Sequence, residues 1–139
     1  MNKNVLITLK SVQWVDKERA ETELITTGIY ENVDDGYKIS YDESTATGFD
    51  GSKTVLTCYG NKFATLNRTG STSSSFVIEK DKKHHCHYGT PYGEFMMGIY
   101  THKIENSLTD DGGDIYMKYT IDINSSYVSD NEIFLNIKP

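Results

Sequence analysis

Ile115-Tyr116-Met117-Lys118-Tyr119-Thr120-Ile121-Asp122-Ile123-Asn124 is the stretch on which the fold turns. Ile115, Met117, Tyr119, Ile121 and Ile123 fall on one side of an extended chain, and Tyr116, Lys118, Thr120, Asp122 and Asn124 on the other. Successive side chains of a strand point to opposite faces, so this period of two describes a strand with one buried and one wetted face. The alternation returns in Tyr37, Ile39 and Tyr41 against Lys38, Ser40 and Asp42, and in Ile133, Leu135 and Ile137 against Phe134 and Asn136. No long window carries a helical period. The most helix-like piece, Asp16 to Glu23, is short and polar and reads better as a turn leading into a strand.

Between the apolar runs lie residues that accept positive φ: Asp34-Asp35-Gly36, Gly60-Asn61, Asp110-Asp111-Gly112-Gly113-Asp114 and Ser129-Asp130-Asn131. Together these signals predict strands over 4–14, 20–31, 36–44, 53–60, 62–68, 74–80, 84–88, 93–105, 114–124 and 132–138. Short connections and long strands favour a single closed, antiparallel up-and-down β-barrel over a sandwich. Closure tilts the strands across the wall and removes the exposed edges of a β-protein.

The 139 residues suit one domain spanning 1–139. With 37% hydrophobic residues and ten Tyr against five Phe, the chain has the makings of a packed β-core, and it is not a disordered segment. A net charge of −6 opposes the phosphate neutralisation on which nucleic-acid affinity depends. Nothing approaches the ~20 apolar residues of a membrane-spanning helix, and Val5-Leu6-Ile7-Thr8-Leu9 is too short for a secretory signal. Cys58 and Cys86 do not make a disulfide framework. A cytoplasmic protein with reduced thiols is expected, with no membrane or nucleic-acid partner; the sequence leaves a homo-oligomer open.

Several short motifs resemble, in order and spacing, those of the YwiB-like family of small bacterial proteins. They are Thr26-Thr27-Gly28, Ile39-Ser40-Tyr41-Asp42-Glu43, Arg68-Thr69-Gly70, and Tyr88 through Thr90-Pro91-Tyr92-Gly93 into a strand carrying Thr101. The resemblance covers Val5 to Ile137. It implies a calycin-like, lipocalin-like barrel of about eight to ten strands and no established activity.

Glu43 continues the face of Tyr37, Ile39 and Tyr41, and Arg68 continues the face of Ala64 and Leu66. If these faces look inward, a carboxylate and a guanidinium end two apolar strips, where an unpaired charge costs several kcal/mol. They must pair, reach the mouth or meet a polar ligand. Tyr41, Tyr88, Tyr100 and Tyr119 are candidates to line the same interior, since tyrosine joins an apolar body to a polar tip. In His84-His85-Cys86-His87, residues two apart share a face about 6.6 Å apart. His85 and His87 are therefore a candidate pair of ligands for zinc, nickel or copper, although a closed site needs further ligands from a neighbouring strand. A tight hairpin at Gly89 to Gly93 would set His87 opposite Phe95 and His85 opposite Met97, neither a good zinc ligand. No cofactor is expected on other grounds.

The chain lacks a Gly-x-Ser-x-Gly elbow and a Gly-rich phosphate loop, and His85 and His87 point away from Cys86. These observations favour a noncatalytic module that binds a small, partly apolar ligand. The alternatives are a metal-binding protein or metal-dependent enzyme at His84–His87, and a protein-interaction barrel with Ile25, Ile29, Val55 and Tyr59 on its outer wall.

Overall fold

The computed structural model describes residues 2–44, 50–70, 73–90 and 93–139, the side chains of 88–90 excepted. These residues form ten strands: β1 (Asn2–Val15), β2 (Glu18–Val33), β3 (Gly36–Asp42), β4 (Ser52–Tyr59), β5 (Phe63–Gly70), β6 (Ser73–Glu79), β7 (Lys83–Thr90), β8 (Gly93–Asn106), β9 (Gly113–Ile123) and β10 (Ser126–Lys138). Each pairs antiparallel with its neighbours in the chain, and β1 pairs with β10 from Leu6↔Lys138 to Trp14↔Asp130, closing the barrel. The expected all-β up-and-down architecture is the observed one, and residues 18–23 belong to β2, not to a helix.

Strand boundaries follow turn chemistry. Asp16, Asp35 and Asp81 adopt positive φ at the tips of three hairpins, a conformation that Asp and Asn tolerate better than most residues. The last hairpin departs from expectation. Its positive-φ residues are Asn124 and Ser125, so Ser129-Asp130-Asn131 is strand and not turn, and β10 begins six residues earlier than the predicted 132. The reason is a bulge between Tyr127 and Ser129. It breaks the alternation and hides a polar strand from a reading based on strict period two.

Inward alternation gives a close-packed floor of Ile7, Ile39, Ile78, Ile115, Met117 and Ile137, each at most 2% exposed. The β8–β9 connection closes the barrel beneath it. Leu108 packs against the core, the Tyr30 hydroxyl donates to the Thr109 carbonyl at 2.7 Å, and the Tyr37 hydroxyl donates to Asp110 at 2.8 Å. Asn32 Nδ2 also donates to Asp110. These bonds hold the Asp110 carboxyl below the usual carboxylate range, the Tyr37 hydroxyl contributing most. The rings of Tyr30 and Tyr37 stack at 5.1 Å.

Gly28 explains part of its motif. A Cβ there would collide with the Ser40 carbonyl oxygen and with Ile7 Cδ1, so β3 can cross β2 this closely only over a glycine. Gly28→Ala is expected to cost about 1–3 kcal/mol, read as a lower urea midpoint at unchanged m-value. A midpoint equal to the parent's would show that the β2–β3 contact is loose.

The wall is uneven. The β2–β3 ladder covers Ile29–Val33 alone, whereas β2 pairs with β1 from Glu18 to Glu31. Among the described residues, no strand pairs with the other edge of Glu18–Thr27. The β6–β7 ladder is shorter still, with Ser73↔Gly89 and Ser74↔Tyr88. Below it the two strands are tied by side chains, His84 Nε2 lying 2.8 Å from Glu79 Oε1.

Candidate functional site

Above the floor, the lumen holds a cavity of about 460 Å³, within the size range of small-molecule sites. Leu9, Leu56, Leu66, Phe76, Met117 and Leu135 form its apolar lower part. It reaches solvent at the end carrying the β1–β2 and β9–β10 turns, where Gln13, Ala20 and Phe95 are at once lining and exposed.

Strand register then places the polar groups. Tyr41↔Thr54↔Arg68↔Ser74 form one row around the wall of β3, β4, β5 and β6, and Tyr119↔Asn131 lie on β9 and β10. Glu43 follows Tyr41 by two residues and shares its face. Of the three outcomes open to two inward charges, the structure shows pairing, with Arg68 Nη2 3.8 Å from Glu43 Oε1. Thr54 Oγ1 donates to the same carboxylate oxygen at 2.7 Å and accepts from Arg68 Nε at 3.3 Å. The Glu43 side chain is 1% exposed and that of Arg68 10%. The carboxylate is thus held behind the guanidinium, away from water.

Burial pushes the Tyr119 phenol up to about 12, against the weaker opposing pull of Arg68. Burial also raises Tyr41, with the nearby Glu43 charge adding to the effect. Both phenols therefore stay neutral at physiological pH; Tyr41 gives its O–H to Glu43, and Tyr119 keeps its own.

Tyr41, Glu43, Arg68 and Tyr119 all line the cavity. Tyr88 continues the polar row by its backbone register with Ser74, but its side chain lies outside the described residues. Tyr100 does not join them. Ile99 and Thr101, its neighbours on β8, are buried, so Tyr100 between them faces outward, its ring against His102 at 4.9 Å. Ser129 and Asn131 are cavity residues that the sequence reading missed. Asn131 Nδ2 donates to Ser129 Oγ at 3.0 Å.

His85 and His87 are exposed on the outer wall. They stand opposite Gly98 and Met96, one place from the expected register, because Thr90 pairs with Gly93 and shortens the connection to two residues. Among the described residues no group of three or more His, Cys, Asp or Glu is placed to hold a metal ion. Ile25 and Ile29 are exposed, Ile25 at 70%, while Val55 and Tyr59 are half-buried. Both cysteines are free thiols, and burial raises Cys58 to about 12 and Cys86 to about 11. Among the described residues no helix is long and apolar enough to cross a membrane.

Fold and site together define a closed ten-stranded antiparallel barrel with an internal, mostly apolar cavity and a buried ion pair in its wall. The family described as "Domain of unknown function (DUF1934)" matches residues 7–135, and the chain belongs to that family. Among solved structures, the crystal structure of ywiB protein from Bacillus subtilis is similar, with a TM-score of 0.77 and 18% identity over 97% of this chain and 92% of that one. That likeness is one of fold. No curated protein matches the chain.

Proposed function

We propose that this protein is a noncatalytic, calycin-like binding module of the cytoplasm that holds a small, partly apolar ligand in its lumen. The observation that carries the reading is the cavity of about 460 Å³, where a filled barrel would leave room for a few waters. Pre-formed apolar pockets with a few converging polar groups are the usual form of small-molecule sites. The charged pair favours binding over catalysis, because Glu43 is engaged by Thr54 and Arg68 and is not poised as a base.

The neutral dye Nile red tests the reading. It is expected to bind the parent protein with a rise in emission, and Thr22→Trp, which places an indole on the cavity wall near the mouth, is expected to weaken binding about tenfold or more. Equal emission from parent and variant would place the dye elsewhere, and no binding at all would sink the proposal.

A further inference from the structure

We infer that the lumen selects ligands with an uncharged hydrogen-bonding head, such as an alcohol, amide or ester, over the carboxylate of the same apolar body. The inference rests on the binding reading above and adds the chemistry of the head group.

Glu43 and Arg68 are the charged residues among the described cavity lining, and their charges cancel. A ligand carboxylate drawn to Arg68 would therefore sit beside Glu43, whose oxygen is already 3.8 Å from that guanidinium. Two anions would share one cation at a pair whose side chains are 1% and 10% exposed, where like-charge repulsion is weakly screened. An ammonium head would meet the same conflict at Arg68. Arg68 is also held in place, since its Nε donates to Thr54 and Thr54 in turn donates to Glu43. It is not free to swing towards a new anion.

A neutral head meets no such conflict. Tyr119 offers a hydroxyl that can donate and accept, Tyr41, whose O–H is given to Glu43, offers an acceptor oxygen, and Asn131 offers a carboxamide. Ser74 adds a second kind of observation. It sits beside Arg68 in the polar row, is 6% exposed, and its Oγ has no hydrogen-bond partner among the described residues. Buried hydroxyls are normally satisfied; Ser74 is not among the residues that line the cavity, so a water bridging from a neutral head would be the group that completes it. The apolar body then lies against Leu56, Leu66, Phe76 and Leu135.

Calorimetric titration with decanol, decanamide, methyl decanoate and decanoate, at a pH where the acid is ionised, separates the outcomes. The neutral compounds are expected to bind at least about tenfold more tightly than decanoate. Decanoate binding as tightly as the others or more so would overturn the inference and leave lumen binding standing. Failure of all four compounds to bind or to displace Nile red would overturn the binding reading itself. Glu43→Gln removes the competing anion, so in the folded variant decanoate is expected to gain at least about tenfold while decanol changes little. An unchanged ranking in that variant would overturn the inference; if the variant does not fold, the ranking in the parent protein decides.

Discussion

Replacing Arg68 by methionine is expected to destabilise the barrel by about 3–5 kcal/mol, one of the largest effects of any single substitution in this chain. Methionine matches much of the side chain's apolar volume, so the loss comes from charge. Glu43, with a side chain 1% exposed, would keep a carboxylate whose positive neighbour has gone. The double variant Arg68→Met with Glu43→Leu removes both charges and is expected to return to within about 1–2 kcal/mol of the parent, the remainder reflecting the acceptor lost by Thr54. Urea unfolding of the parent, both single variants and the double variant closes a thermodynamic cycle. A single-variant cost below about 1 kcal/mol would mean that bulk water reaches the pair.

The second large effect is alkaline. Tyr119 ionises at about 12 in the folded barrel, against 10.0 for an unperturbed phenol. A folded-state value raised above the unfolded one favours folding while the proton is bound. The contribution is therefore fully present below about pH 10 and is lost as pH climbs from there through about 12. For Tyr119 alone this is about 3 kcal/mol, and Tyr41, raised for the same reason, loses its contribution in the same direction. Stability should hold steady to about pH 10 and then fall steeply, with phenolate absorbance appearing in two classes. The class that appears together with loss of circular dichroism should include Tyr30, Tyr41 and Tyr119, whose phenols burial keeps protonated. Smooth titration of all ten tyrosines with the structure intact would refute this account of the lumen.

Much of this architecture was legible because a barrel wall is a repeated solution to one problem, apolar inside and polar outside. Ile115 to Ile123 declares it outright, and ten strands follow at nearly the predicted places. The need of Glu43 and Arg68 for a partner, the mouth or a ligand was legible too, from where charges fall on inward faces; that they pair with each other depends on the register of β3, β4 and β5. What failed did so where register is not local. Tyr100 was assigned inward as one more tyrosine, although the parity of β8 is set by Met97, Ile99 and Thr101. Ser129 and Asn131 looked like turn residues because the bulge that turns them into the lumen leaves no compositional mark. The histidine register slipped by one place because hairpin length, not strand content, fixes which residues face each other.

The order of strands around the barrel also governs how it is assembled. Among the described residues, every ladder but β1–β10 joins strands adjacent in the chain, so most of the sheet can grow hairpin by hairpin at a small entropic cost of loop closure. The β1–β10 ladder must wait until nearly the whole chain is in place, with Leu6 meeting Lys138. A chain that assembled in this order would keep the apolar face of the sheet uncovered until that ladder closed. Folding rate should therefore respond most weakly to substitutions along β1–β10, whose contacts form after the barrier, and those same substitutions should chiefly speed unfolding.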